Sequence, residues 1–248
     1  KICQDKFRFN EVMKNNDVPV PNAVHITCEK DIEKCFETLS TDGRKVWIRA
    51  VRGAGSRAAL PVNNVKHAKM WIDYWISMRG LNYSDFMMSE FLPKKEFAFQ
   101  SIWKDGQIVM SQARERQEYV FGNLTASGQS SSPSIAKTVH RDDVNKTATD
   151  AVLACDKNAT GIFCVDLKEN LDEIPCVTEI NLGRFFTTSN FFSRAGCNMP
   201  YNYIKLAFGE VAEKFPKYNA LDENIYWIRL MDSGNVMIRN SGWTSKEL

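Results

Sequence analysis

The sequence predicts an α+β protein of two lobes, with a mostly antiparallel sheet in the C-terminal lobe. Three observations lead there. Helix and strand patterns alternate up to residue 78. Beyond it the hydrophobic period switches to two, and strands follow one another across tight turns. The later helices stand singly between strand pairs, whereas a doubly wound parallel sheet needs a helix after every strand.

Each element has its own warrant. Asp5 stands as N-cap before a short helix over 5–14, which Val18-Pro19-Val20-Pro21-Asn22 ends in extended backbone. Ile32, Cys35, Phe36 and Leu39 recur at helical spacing over 29–39. Thr41-Asp42-Gly43 is a turn before the strand Val46-Trp47-Ile48-Arg49-Ala50, which runs into Arg52-Gly53-Ala54-Gly55-Ser56-Arg57, and Leu60-Pro61-Val62 returns. Asn64 caps a helix over 64–78 that buries Ala68, Trp71, Ile72, Trp75 and Ile76. Strands are expected over 86–91, 96–103 and 107–113, the last two around Lys104-Asp105-Gly106. Ser, Gly, Thr and Asn dominate 122–134, a length that suggests a functional loop or lid. A helix over 142–155, strands over 161–167 and 176–182, and a helix over 200–214 follow. A hairpin over 225–231 and 236–239 turns at Asp232-Ser233-Gly234.

Composition bounds the class. The 248 residues are 44% hydrophobic and 25% charged, which is globular rather than disordered. Lys plus Arg number 32 against 30 Asp plus Glu, a formal net charge of +2. Nucleic-acid binders usually show a larger basic excess, so no nucleic-acid partner is expected. No apolar run approaches the roughly 18 to 20 residues of a membrane span, so no membrane is expected either. Seven cysteines with no C-x-x-C pair read as reduced thiols of a cytoplasmic protein. His25, His67 and His140 are scattered and lend little support to a histidine metal site or a Ser-His-Asp triad. Lys1-Ile2-Cys3-Gln4-Asp5 is neither a signal peptide nor an initiator Met start, so the chain is expected to be a fragment, trimmed or processed.

Four features bear on chemistry. Arg49 followed by Gly53-Ala54-Gly55-Ser56 is a strand ending in a cation and then a small-residue turn. Such a loop lets backbone N–H groups approach a polyphosphate, but alone it is a weak signal and an ordinary surface turn is the plainer reading; it is neither a Walker A loop nor a Rossmann fingerprint. Asp166 lies on one predicted strand, and Glu179 and Asn181 on the next, two apart and so on one face. Two carboxylates and an amide oxygen suit Mg²⁺; the other reading is the solvent face of an edge strand. Ser89-Glu90-Phe91-Leu92-Pro93 breaks a strand as a hinge would, with Glu96 just beyond, or is simply an exposed charged turn. Arg114 and Arg116, two apart, can face one way toward an anion, or be paired by Glu115 and Glu118 on a solvated strand end.

Six short pieces occur together in order: Asp5-Lys6-Phe7, Trp47-Ile48-Arg49-Ala50, Gly53-Ala54-Gly55-Ser56-Arg57, Ser89-Glu90-Phe91-Leu92-Pro93 with Glu96, Gly161-Ile162-Phe163-Cys164-Val165-Asp166, and Thr178-Glu179-Ile180-Asn181. Over about residues 1–212 this combination resembles the ATP-grasp domain of carbamoyl-phosphate-synthase-like and biotin-carboxylase-like proteins. The resemblance implies two α+β lobes with ATP held between them. Residues 1–22 would be a helix packing on the C-terminal lobe, 23–91 the small lobe with its Gly-rich loop, 92–215 the C-terminal lobe with the metal site, and 216–248 a hairpin extension.

By resemblance, Lys6 and Arg49 hold ATP phosphates and the loop Gly53, Ala54, Gly55, Ser56 and Arg57 folds over them. Glu90, Phe91 and Leu92 meet adenine, Leu92 and Glu90 through backbone atoms, and Glu96 takes ribose. Asp166, Glu179 and Asn181 hold Mg²⁺ or Mn²⁺, and Arg184 is the cation at the γ-phosphate. From their spacing on one strand, Arg114 and Arg116 are expected to hold an anionic acceptor or the transferred phosphoryl group beside it. Phe185 and Phe186 either line the acceptor pocket or pack. Two departures stand out: Asn181-Leu182-Gly183-Arg184 is one residue longer than the family's Asn-Pro-Arg, and Asp166 stands where relatives often carry Glu or Gln. The implied activity is an ADP-forming carbon–nitrogen ligase that phosphorylates a carboxylate-type oxygen to an acyl phosphate for attack by an amine or other nucleophile. The other readings are a carbamoyl-phosphate-synthase-like subunit or kinase acting on bicarbonate, carbamate or a small carboxylate, and a nucleotide-binding regulatory module without turnover. The family's N-terminal Rossmann-like domain has no counterpart here, so a missing domain, a partner chain or a homodimer is expected to complete the site.

Overall fold

The structure is a computed structural model that describes residues 2–40, 43–53, 55–130, 132–230, 234–239 and 242–245. The turn expected at Thr41-Asp42, loop residue Ala54, Ser131 of the polar segment and Asp232-Ser233 of the last turn lie outside the described residues.

After a 3-10 turn at Ile2–Gln4, helix α1 (Lys6–Lys14) begins where the Asp5 carboxylate accepts the Arg8 N–H at 2.9 Å. The small lobe follows: β1 (Ala23–His25), α2 (Lys30–Leu39), β2 (Val46–Ala50), β3 (Leu60–Val62), α3 (Val65–Arg79) and β4 (Phe86–Glu90). Its four strands pair antiparallel in the order β1-β4-β2-β3. Helix α3 is capped by Asn64, whose side chain accepts the His67 N–H at 2.8 Å, and it stops at Gly80 in the left-handed region. Ile32, Cys35, Ile48, Ile72, Phe86 and Met88 form the core between sheet and helices. Trp71 and Trp75 are partly buried against this core, so of the residues assigned to the inner face of α3 only Ala68 and Ile72 are fully enclosed.

The large lobe contains β5 (Glu96–Lys104), β6 (Gln107–Tyr119), β7 (Pro133–Val139), α4 (Asp142–Cys155), β8 (Gly161–Glu169), β9 (Pro175–Leu182), α5 (Ser189–Ala195), α6 (Met199–Ala207), β10 (Tyr226–Leu230), β11 (Gly234–Arg239) and β12 (Gly242–Ser245). One eight-stranded antiparallel sheet holds every strand, in the order β12-β11-β10-β7-β6-β5-β8-β9. One face carries Phe97, Phe99, Val165 and Leu167 and is covered by α4 (Val144, Ala148, Ala151, Val152) and α1 (Phe9, Met13). The other carries Ile102 and Met110 under Phe191 and Phe192 of α5, with Trp227 of β10. The hairpin turn at Asp105 and Gly106 has positive φ at both residues, 49° and 77°. A Cβ on Gly106 would meet the Lys157 carbonyl oxygen at 2.4 Å, so only glycine fits.

Several expectations are corrected. The polar segment ends in a strand, β7, whose Ser134, Lys137 and Thr138 hide its pattern from a hydrophobic reading. The helix expected to reach residue 214 ends at Ala207, because Gly209 (φ 75°) turns the chain and its N–H and that of Glu210 close back on Leu206 and Lys205. Helix α5 and strands β1 and β12 are too short to leave a periodic signal. The final hairpin is no appendage: β10 pairs with β7, Trp227 opposite Ala136, and extends the large sheet. Among the described residues no helix is long and apolar enough to cross a membrane.

Candidate active site

The cleft lies between the lobes, and strand register builds its floor. On one face of the large sheet a row runs across four strands: Asp166 on β8 opposes Ala98 on β5, Ala98 opposes Arg114 on β6, and Arg114 opposes Thr138 on β7. Two residues along, Lys168 opposes Glu96 and Glu96 opposes Arg116. On the edge strand β9, Glu179 opposes Asp166 and Asn181 opposes Cys164. Period-two alternation therefore puts all three residues of the expected metal set on the cleft face.

The small lobe supplies the facing wall. The alternating burial of β2 sends Val46, Ile48 and Ala50 inward and leaves Trp47 and Arg49 on the cleft side. Arg49 donates to the Thr178 carbonyl at 3.2 Å, which ties β2 to β9, and its Nε is buried without a hydrogen-bond partner among the described residues. Lys6, at the start of α1, donates to the Gly53 carbonyl at 2.6 Å and stands 3.8 Å from Glu179. Gly53, Gly55, Ser56 and Arg57 line the cleft, as do Glu90, Phe91 and Leu92 at the hinge. The Glu90 N–H is committed to the Asn22 carbonyl at 2.9 Å.

Two residues are drawn into dense polar contacts. Asp166 accepts from Arg116 through one oxygen and from Asn181 Nδ2 at 3.0 Å through the other. Glu96 accepts from Arg116 at 3.0 Å, from Gln129 at 3.0 Å and from the Tyr119 hydroxyl, with Lys168 at 3.6 Å. Arg184 donates to the Asn181 amide oxygen. Arg116 and Arg184 line the cleft, whereas Arg114 is buried behind Phe186, its guanidinium 5.0 Å from that ring.

The electrostatics follow from burial and neighbours. Burial pushes Asp166 up to about 6; Glu179 and Glu96 add to the rise and Arg116 opposes it. Burial also lowers Lys6 and Arg49, with Glu179 acting against the shift in both. Arg114 falls to about 9 through burial and the nearby Arg116. Arg116 is held above its ordinary value, because Asp166, Tyr119 and Glu96 outweigh its burial.

The donor set suits a hard divalent cation. Glu179 is a half-exposed carboxylate and Asn181 an amide oxygen beside it, with Asp166 across the register. Among the described residues no group of three His, Cys, Asp or Glu converges, so an amide oxygen has to complete the set. The cleft can hold a polyanion against Lys6, Arg49 and Arg184 with a cation at Glu179 and Asn181.

Reading the sequence missed Tyr119, Lys168, Gln129 and Trp47 as cleft residues. Lys168 had a signal: it lies two residues beyond Asp166 on the same strand. Tyr119 had none, because a register shift after Arg116 breaks the alternation before it.

The chain belongs to the ATP-grasp family: the model of the ATP-grasp domain matches residues 3–189. No curated protein sequence matches significantly. Solved structures share the fold. The L-amino acid ligase from Bacillus licheniformis is 13% identical, with a TM-score of 0.63 over 96% of this chain and 53% of that one. The biotin carboxylase domain of 2-oxoglutarate carboxylase from Hydrogenobacter thermophilus, in complex with MgADP and bicarbonate, is 16% identical, with a TM-score of 0.69 over 92% and 49%. An N5-carboxyaminoimidazole synthetase from Staphylococcus aureus, complexed with ADP, is 16% identical, with a TM-score of 0.66 over 93% and 57%. The chain thus spans about half the length of these proteins.

Proposed function

We propose that this domain binds ATP with Mg²⁺ between its lobes and transfers the γ-phosphoryl group to a carboxylate-type oxygen of a small acceptor, bicarbonate included. The acyl phosphate so formed is then attacked by an amine or another nucleophile. The observation that carries this reading is the convergence on one cleft of Lys6, Arg49 and Arg184 with the hard oxygens of Glu179 and Asn181.

Phosphoryl transfer asks for positioning and charge neutralisation more than for covalent help from the protein. Lys6 and Arg49 would neutralise phosphate oxygens, and the loop at residues 53–57 would cover them with backbone N–H groups. Phe91 and Leu92 would bound the adenine, and Glu96 would reach the ribose. Glu179 and Asn181 would hold Mg²⁺, with Asp166 as third ligand or as the group that orients Asn181. When bound, the metal supplies charge neutralisation at the transferring phosphoryl group. Residues 53–57 and 122–132 would exclude water, which a hydrolysable acyl phosphate requires. Another domain, a partner chain or a second copy would close the acceptor side.

One observation favours a second reading, nucleotide binding without turnover: both Asp166 oxygens are taken by Arg116 and Asn181. ADP release separates the two. We expect release that depends on Mg²⁺ and on a carboxylic acid or bicarbonate, and that falls to background in Glu179→Ala. Nucleotide binding with no ADP release under any acceptor would favour the regulatory module.

A further inference from the structure

One cation of the cleft floor, Arg114, has no direct ion-pair partner among the described residues; Asp166 acts on it only across the intervening strand. Arg114 is 1% exposed, and its Nε and Nη1 are buried without a hydrogen-bond partner among the described residues. The acids on its face, Asp166 and Glu96, are both engaged by Arg116. What lies against Arg114 is aromatic: Phe186, with its ring centroid at 5.0 Å, and Phe192 at 5.9 Å.

A buried, unpaired guanidinium is strongly unfavourable, and a cation–π contact recovers only a small part of that cost. A trapped water would satisfy the N–H groups but leave the charge. An anion with planar oxygen acceptors satisfies both, and a carboxylate matches the guanidinium geometry. The position is informative too. Arg114 lies two strands from Asp166, with only the Ala98 side chain between them, at the level of Glu179. Phe186 lines the cleft and is only partly buried, and it belongs to a loop that begins at Gly183 with φ 69°. Its ring is therefore the cover between the cleft and Arg114.

We propose that Arg114, uncovered when Phe186 swings aside, binds a second carboxylate of the acceptor, which is accordingly a small acid with two carboxylates. One reacts beside Glu179 and Asn181 and the other is anchored at Arg114. This rests on the phosphoryl-transfer reading given above.

The test is thermal unfolding of the full chain with MgADP, titrated with succinate and, at matched ionic strength, with acetate. Succinate should raise the melting temperature saturably and acetate should not. Arg114→Met should lose the succinate response, keep the MgADP response, and melt above the wild type without ligand, because an unpaired buried charge is gone. Phe186→Ala should lower the half-saturating succinate concentration severalfold. The proposal is overturned by a wild type that responds to MgADP but not to succinate, by a succinate response that survives Arg114→Met, or by an Arg114→Met chain that melts lower or does not fold. A succinate response without an MgADP response would uphold the anion site and fault the nucleotide reading alone.

Discussion

Arg49 shows how one residue serves both lobes. Its place on β2 is set by alternation, its guanidinium reaches the Thr178 carbonyl across the cleft, and its Nε has no hydrogen-bond partner among the described residues. A charge-assisted hydrogen bond is worth about 1.5–3 kcal/mol, so Arg49→Ala should raise the half-saturating ATP concentration roughly 10- to 100-fold. Nucleotide titration checks this, and an unchanged curve would remove Arg49 from the phosphate site. The cleft-side positions of Arg49, Glu179 and Asn181 could be read from strand placement and alternation, whereas Lys6 was singled out only by the family resemblance. The state of Asp166 was not. Its two oxygens are claimed by Arg116 and Asn181, contacts that depend on the pairing of four strands.

At the scale of elements, the helix starts that carry a side-chain cap at Asp5 and Asn64 were readable, since a cap is a local device. Asp5 and Asn64 both accept the expected backbone N–H. Asp31 is a related case that spacing did not single out: it accepts from the Thr27 N–H (2.8 Å), the Thr27 hydroxyl (2.6 Å) and the Cys28 N–H (3.0 Å), fixing the turn into α2. The Thr27 hydroxyl and these N–H groups lower its pKa to about 2. A carboxyl depressed in the folded state contributes stability above its unfolded pKa of roughly 3.9, and loses it as pH falls toward the folded value. Asp31→Ala should therefore melt below the wild type at neutral pH, and the gap should close between about pH 4 and about pH 2. A gap independent of pH would mean that the carboxylate charge is not what matters. Strand β7 and the far end of β6 stayed illegible for the opposite reason. Lys137, Thr138 and Tyr119 owe their places to pairing and a register shift, which no local pattern encodes.

At the scale of the molecule, the eight-stranded sheet makes the C-terminal residues part of the lobe that carries the site. Trp227 is 1% exposed and stacks on Phe191 at 5.4 Å, although it lies beyond the stretch that carries the family match. Truncating such a side chain costs about 3–5 kcal/mol, so Trp227→Ala should lower the denaturation midpoint of the whole large lobe in a single transition. A change confined to a separate minor transition would make the tail an independent appendage. The two lobes meet where Arg49 touches β9 and Lys6 touches both the Gly53 carbonyl and Glu179. The most direct measurement of this arrangement is calorimetric titration of ATP into the wild type and Glu179→Ala, each with and without Mg²⁺. We predict that Mg²⁺ tightens ATP binding to the wild type at least about tenfold, equivalent to about 1.4 kcal/mol, and that Glu179→Ala loses this gain while keeping the metal-free affinity supplied by Lys6 and Arg49. Equal gains from Mg²⁺ in both chains, or no ATP binding to either, would contradict the account.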